Sequence, residues 1–121
     1  MTGPAAPNEV TAVFTALADP RRRDVLEVVA SAGAITATGV ADRLTITRQA
    51  VAKHLAVLTE AGLVSSSKRG REVQYEVSPA PLQQTAVWLQ RQASAWDRQL
   101  EALKRRAERS VRQQRDIRTD Q

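Results

Sequence analysis

The chain has 121 residues, of which 42% are hydrophobic and 26% charged, a size and composition that suit one folded domain. It contains no cysteine and a single histidine, His54, which excludes disulfides, thiolate metal sites, a cysteine nucleophile and any site that needs two imidazoles from one chain. There is no apolar run of about 18 residues and no basic segment followed by an apolar one, so we expect neither a membrane span nor a secretory signal. We therefore expect a cytoplasmic location.

The formal net charge of +5 is concentrated at the C-terminal end of the chain. Residues 104–121 contain seven basic and three acidic residues, whereas residues 1–103 have a net charge of only +1. A nucleic-acid role for the larger part of the chain must therefore rest on where its residues are placed, because overall charge does not support it.

Two helices are predicted near the N-terminus. Residues 1–8 include two prolines and a glycine, which predicts a disordered arm. Asn8 can cap a first helix, whose apolar side chains recur at helical spacing at Val10, Val13, Phe14 and Leu17. A second helix is predicted to begin at Asp19 and Pro20, a favourable cap and first residue, and to end at Gly33.

The next two predicted helices are short and are joined by a tight turn. Thr36 can cap a helix that ends at Leu44. Three connecting residues follow, and the last of them, Thr47, can cap another helix that ends at Ala61. This arrangement predicts a helix-turn-helix, a motif whose second helix enters the major groove of DNA.

After Gly62 the apolar pattern changes to the alternation that is typical of β-strands. One strand is predicted at Leu63 and Val64, and a second where apolar and polar residues alternate, at Val73, Tyr75 and Val77. The segment SSSKRG between them contains Gly70 and predicts a hairpin whose tip is basic, with Lys68, Arg69 and Arg71.

A long helix is predicted from Leu82, after two prolines end the hairpin. Its apolar residues are spaced alternately by four and three positions, at Leu82, Ala86, Leu89, Ala93, Trp96, Leu100, Leu103 and Ala107. This is the spacing of a coiled-coil seam, which needs a partner helix. The folded domain is therefore expected to span residues 9–103, and residues 104–121 to form a basic helix end or tail.

The second helix of the predicted motif carries the candidate DNA-reading residues. Its apolar side is predicted to face the core. The opposite side of the helix then presents Arg48, Gln49, Ala52 and Lys53. Glutamine can pair with adenine, arginine and lysine can pair with guanine, and alanine leaves room for a thymine methyl group. We also predict that Thr47 caps the helix and contacts a phosphate.

A helix-turn-helix followed by a basic hairpin is the order of elements in a winged helix. The hairpin would place its cations on the DNA backbone or in the adjacent minor groove. A polar helix face and a charged hairpin tip also occur on ordinary solvated surfaces. The sequence as a whole predicts a mainly α protein with a small β-hairpin, a winged helix-turn-helix of about five helices and a two-stranded wing.

Three stretches of the chain resemble the ArsR/SmtB family of bacterial winged-helix transcriptional repressors. They are LADPRRRDVLEVV at 17–29, TGVADRLTITRQAVAKHLAVLTEAGLV at 38–64 and KRGREVQYEVSP at 68–79. The most specific part runs from Arg48 to Val64. Ala52 within it and Thr47 just before it replace two serines that are usual in the family.

The resemblance implies a homodimer that represses transcription by binding an inverted-repeat operator. Pairing through the first and last helices would place in the dimer interface Val10, Phe14, Leu89, Ala93, Trp96, Leu100 and Leu103. Within the family pattern His54 stands beside the inward face, where a structural or phosphate-contacting role is expected.

The chain departs from the family's metal sensors. The region 37–42 has no cysteine pair and the last helix has no histidine, so we predict no metal site, no cofactor and regulation independent of metal ions. A small apolar ligand near Trp88, a partner protein or simple autorepression are the alternatives for regulation.

Other features have competing interpretations. Three arginines, Arg21, Arg22 and Arg23, lie at a helix N-terminus, where cations are unfavourable, and Arg23 could pair with Glu27. Trp96 lies on the seam, which favours the interface, whereas Trp88 lies off it, which favours packing in its own domain.

The leading hypothesis is a sequence-specific DNA-binding regulator. A nonspecific nucleoid-type DNA binder that uses the wing and tail, and a winged-helix protein-interaction module, remain alternatives. We do not expect an enzyme, because no phosphate loop, dinucleotide-binding turn, catalytic triad or carboxylate pair stands at useful spacing, and no catalytic residue is predicted.

Overall fold

The computed structural model describes the backbone of residues 8–119 and the side chains of residues 8–115. Its elements, in chain order, are α1 (Asn8–Leu17), α2 (Pro20–Ala32), β1 (Ile35–Thr36), α3 (Ala37–Leu44), α4 (Arg48–Glu60), β2 (Val64–Arg69), β3 (Glu72–Val77) and α5 (Ala80–Thr119). The described residues group into two compact units, one that ends at Ala86 and one that begins at Val87. The predicted helices and wing are confirmed.

Three predicted helix caps are present with the expected hydrogen bonds. The side chain of Asp19 accepts from the Arg21 N–H at 2.9 Å, and the hydroxyl of Thr36 accepts from the Gly39 N–H at 3.0 Å. Thr47 caps α4 in the same way, through the Ala50 N–H at 3.1 Å. Each cap satisfies a backbone donor that the helix itself leaves unpaired, which stabilises the helix by about 1 kcal/mol. The predicted N-terminal arm lies outside the described residues apart from Asn8, the first residue of α1.

The core is built from the inward faces of α1 to α4 and the base of the sheet. Its fully buried side chains are Val13, Val25, Val29, Val40, Val51, Leu55, Leu58, Leu63 and Val64. Because α4 contributes three of these residues, its orientation is fixed by packing on one side while its other side stays in solvent.

The sheet has three strands in the order β1-β3-β2, one more than the sequence predicts. The two residues of β1 pair with β3, Ile35 opposite Tyr75 and Thr36 opposite Gln74. A strand of two residues has no periodicity to detect, and only its pairing with β3 defines it.

The wing is longer than predicted, because the polar segment SSSKR belongs to β2 and is not a loop. It pairs with β3 from Val64 opposite Val77 to Arg69 opposite Glu72, which leaves a turn of two residues, Gly70 and Arg71. Gly70 has φ 64°, the left-handed backbone that a type II′ hairpin requires at its first turn position. Exposed serines give no apolar alternation, so the sequence underestimates this strand.

The arginines at the start of α2 contact the end of α1. Arg22 Nε donates to the Ala16 carbonyl at 2.8 Å, and Arg23 Nη1 donates to the Leu17 carbonyl at 2.7 Å. Among the described residues Arg23 forms no ion pair with Glu27, so that predicted pairing is wrong. Cations at the C-terminal end of a helix donate to its unpaired carbonyls and interact favourably with the negative end of its dipole. The arginines thus stabilise the end of α1, although their position at the N-terminus of α2 is unfavourable for α2 itself.

Two expectations about the outer helices also change. The sequence places Val10 in a dimer interface, but Val10 is only 2% exposed within one chain, so it has almost no surface to offer a partner. Helix α5 begins two residues before Leu82 and extends for 40 residues, through most of the predicted basic tail. Over the described residues, no helix combines the length and apolar character needed to cross a membrane.

Candidate nucleic-acid interface

Helix α4 presents a polar outer face that is set by its buried side. Val51, Leu55 and Leu58 are 0–1% exposed, and at 3.6 residues per turn Gln49 and Lys53 lie directly opposite them. Both of these side chains are exposed, as is Ala52 beside them. The outer face therefore has the residue types that read base edges in the major groove.

The structure divides the other predicted residues of α4 between the two flanks of the helix. Arg48 is exposed and lies about 100° from Gln49, on the flank nearer the wing. His54 is half-buried on the other flank, next to Leu55, where it borders the core. Arg48 thus differs from the sequence expectation that it shares one face with Gln49 and Lys53.

Thr47 stands at the N-terminus of α4 with its side chain exposed. Its hydroxyl oxygen accepts from the Ala50 N–H, and a hydroxyl keeps its own hydrogen available to donate. One residue can therefore hold the helix end in shape and donate to an anion beside it.

The wing carries its three cations in different environments. Alternation along the strands places Arg69 on one face of the hairpin and Lys68 on the other, with Arg71 in the turn. Arg69 Nη2 lies 3.7 Å from Glu76 Oε1, and both side chains are largely exposed. Among the described residues, no ion pair is formed by Lys68 or Arg71.

A groove of about 420 Å³ lies where α3, α4 and the wing come together. Arg48 lines it from α4 and Arg71 from the wing, and Thr38 lines it from the first turn of α3. The carboxylate-bearing Glu72 also faces this groove. Two guanidinium groups from separate elements and a hydroxyl line one groove, which forms a surface that suits a phosphate.

Sequence reasoning missed several residues of this surface. Thr38 and Glu72 are brought to the groove by tertiary packing, and their positions in the sequence carry no signal for it. Ala56 continues the exposed outer face of α4 after Gln49 and Lys53, and the i, i+4, i+7 spacing could have identified it.

Comparison with known proteins points to a single family. Residues 17–66 match the family described as "Helix-turn-helix domain". The transcriptional repressor SdpR of Bacillus subtilis is 30% identical over 77 residues, which are 64% of this chain and 84% of SdpR. The HTH-type transcriptional regulator YuzN of the same organism is 42% identical over 66 residues, 50% of this chain and 72% of YuzN. A solved structure of an ArsR-like transcriptional regulator from Rhodococcus sp. RHA1 is 42% identical in sequence and superposes with a TM-score of 0.75. The match covers 80% of this chain and 91% of the chain of that regulator.

The chain belongs to the ArsR family of winged helix-turn-helix transcriptional regulators. It is therefore a DNA-binding regulator of transcription, and this class of protein is not typically enzymatic. In this ArsR-family regulator α3 and α4 form the helix-turn-helix, α4 is its recognition helix, and β2 and β3 form the wing.

The α5 helix of this ArsR-family regulator carries an exposed apolar seam. Side chains that a monomer would leave in water are Leu89 (47% exposed), Trp96 (64%), Leu100 (58%) and Leu103 (58%). Ala93 lies on the same seam and is also exposed, and Phe14 on α1 is 42% exposed. Trp88, off the seam, is half-buried. Leu82 packs against the core, so the exposed part of the seam begins at Ala86.

The described residues include no group of three or more histidine, cysteine, aspartate or glutamate side chains arranged to hold a metal ion. The chain has no cysteine at all, so a thiolate site of the kind used by metal-sensing members of the family has no ligands here.

Proposed function

We propose that the protein is a homodimeric transcriptional repressor that binds a two-fold symmetric operator without the help of a metal ion. The observation that carries this proposal is the exposed Gln49 and Lys53 pair on a recognition helix whose opposite side is locked into the core. A rigid helix presents these side chains with little loss of backbone freedom on binding, which favours selective reading of bases.

In this proposal, Gln49, Ala52 and Lys53 contact base edges, while other residues hold the DNA backbone. Arg48 and Arg71 line one groove, which favours a phosphate contact for both. Thr47 donates its hydroxyl to a neighbouring phosphate, and His54 supports the helix from the core side. Lys68 and Arg69 extend the phosphate contacts along the wing.

The dimer is proposed to form through the exposed seam of α5. Burying a leucine side chain that water now contacts contributes roughly 1.5–3 kcal/mol, and the seam offers three leucines and Trp96 in each chain. A two-fold dimer presents two recognition helices, which fit successive major grooves about 34 Å apart on an inverted repeat. Phe14 is proposed to add to the interface from α1. Such a regulator acts in the cytoplasm, where its operator is accessible.

The test is fluorescence anisotropy with DNA from upstream of the protein's own gene and with shuffled DNA of equal composition, at about 0.15 M salt, where nonspecific binding is weak. We expect tight binding to the first DNA only. Gln49→Ala or Lys53→Ala should weaken specific binding by about 1–3 kcal/mol and leave nonspecific binding nearly unchanged. Gln84→Ala on α5, which removes an exposed glutamine elsewhere, is the matched control.

Equal affinity of wild type and both α4 variants for every DNA would reject the recognition assignment. Binding of equal strength to both DNAs would favour the nonspecific alternative. The same titration with EDTA, and again with added zinc, is expected to give an unchanged affinity, and a metal-dependent affinity would contradict metal independence.

A further inference from the structure

The C-terminal half of α5 carries a cationic face that the recognition helix and the wing do not account for. Between residues 104 and 115 there are six basic residues and one acidic residue, all exposed. Three of them, Arg105, Arg109 and Arg112, line one shallow surface together with Glu108. Over the described residues, none of these three arginines forms an ion pair.

This arginine face, defined as Arg105, Arg109 and Arg112, lies on the side of α5 away from the apolar seam. At about 100° per residue, Arg105 and Arg112 fall roughly opposite the midpoint between the two seam positions Leu103 and Ala107. The helix is thus two-sided: the seam can pair with a second copy of the chain while the arginines remain in solvent.

We propose that the arginine face is a second DNA-binding element, which holds phosphates of the duplex outside the bases read by α4. This inference rests on the proposed function, because the partner of the arginine face is the operator DNA. Its basis is charge complementarity with a polyanion and the geometry of the helix, in which Arg105 and Arg112 stand roughly 10 Å apart along one line.

The charge distribution of the chain explains why such an element is needed. Residues 1–103 have a net charge of only +1, and in the wing the cations Lys68, Arg69 and Arg71 are opposed by Glu72 and Glu76. Phosphate neutralisation by lysine and arginine supplies most of the sequence-independent part of DNA affinity. The arginine face adds cations that the nearly neutral residues 1–103 do not supply.

The experiment uses the full chain with Arg105, Arg109 and Arg112 all replaced by glutamine, which is also a good helix former. Because Glu108 offsets one cation, we count two phosphates per chain, or four for the dimer, and expect the slope of log K against log salt to become shallower by about 4. At 50 mM salt the variant then loses affinity for operator and shuffled DNA alike. Between 50 and 200 mM salt the wild type loses roughly 100-fold more affinity than the variant.

Two matched variants separate charge from structure. The triple replacement by lysine keeps the charge and should keep the salt slope of the wild type. Glu108→Gln removes the opposing carboxylate and should make the slope steeper by about 1 per chain, or about 2 for the dimer. Circular dichroism and the sedimentation mass of each variant should equal those of the wild type, because none of the changes touches the seam.

A salt slope that is unchanged in the glutamine variant, with helicity and mass intact, overturns the proposal. Loss of binding to phosphatidylserine vesicles without any change on DNA would also overturn it and assign the face to a membrane surface. Failure of the wild type to prefer operator over shuffled DNA would reject the proposed function, and the slope difference on shuffled DNA would still decide the role of the arginine face.

Discussion

At the scale of single residues, the structure distinguishes cations that sequence alone treats as equivalent. Arg69 is held 3.7 Å from Glu76, whereas Arg71 projects from the turn into the groove shared with Arg48. The Arg69–Glu76 pair is largely exposed, so its own contribution to stability is only about 0–1 kcal/mol. We expect its effect to fall mainly on DNA binding, because Glu76 would compete with phosphate for the same guanidinium.

We therefore predict that Glu76→Gln tightens binding to DNA of any sequence. Releasing Arg69 and removing one negative charge from each wing should steepen the slope of log K against log salt by about 1 per chain, or about 2 for the dimer. Glu27→Gln, which removes an exposed carboxylate from α2, serves as the control for net charge. The measurement is anisotropy across a salt series, and equal or weaker binding by Glu76→Gln would contradict the role given to Arg69.

At the scale of elements, the turn between α3 and α4 determines how the recognition helix leaves the core. Thr45 ends α3 in left-handed backbone with φ 56°, and its N–H and that of Ile46 both donate to the Ala41 carbonyl. A β-branched residue with positive φ is strained by roughly 1–2 kcal/mol, because its Cβ approaches the following carbonyl. The tight turn required by the helix-turn-helix outweighs the local preference of threonine.

Replacing this residue should stabilise the protein. Thr45→Gly removes the steric strain but gives the unfolded chain more freedom, so we expect a net gain of about 0.5–1 kcal/mol in the free energy of unfolding. Thr45→Ala keeps a Cβ without the branch, so its free energy of unfolding should lie between those of the wild type and Thr45→Gly. Urea unfolding measures the difference, and a destabilised Thr45→Gly variant would show that the threonine side chain has a role beyond the strain.

At the scale of the whole molecule, the charged helix α5 carries an apolar seam that a monomer would leave exposed to water, which is unfavourable. Trp96 is 64% exposed, and Leu100 and Leu103 are each 58% exposed. Seam residues at four and three spacing pack as knobs into a facing helix, which a second copy can provide. Two-fold symmetry then places the same residue of both chains near the axis.

Leu100→Glu is expected to give a monomer, because it brings a carboxylate into the seam of each chain and removes the apolar area that would be buried. Operator affinity should fall by at least about 100-fold as the two half-sites lose their linkage. Val87→Glu introduces the same charge at an exposed valine off the seam and should leave the dimer intact. Sedimentation at micromolar concentration measures both, and a Leu100→Glu dimer of wild-type stability would refute the seam as the interface.

The sequence by itself determined the helices, their caps, the wing and the apolar seam of α5. Each of these depends on local chemistry: Asp19, Thr36 and Thr47 accept hydrogen bonds from backbone donors only two or three residues away. Helical spacing likewise selects the buried side of α4 without reference to the rest of the fold.

Only the tertiary structure decided which side chains meet across elements. It paired Arg22 and Arg23 with carbonyls of α1, placed Arg48 and Arg71 on one groove, and buried Val10 within one chain. It also made a strand of Ile35 and Thr36 through pairing with β3. The physical reason is common to all of these: such contacts join residues that are distant along the chain or lie in different elements, and they follow from packing and strand register, which local propensity does not encode.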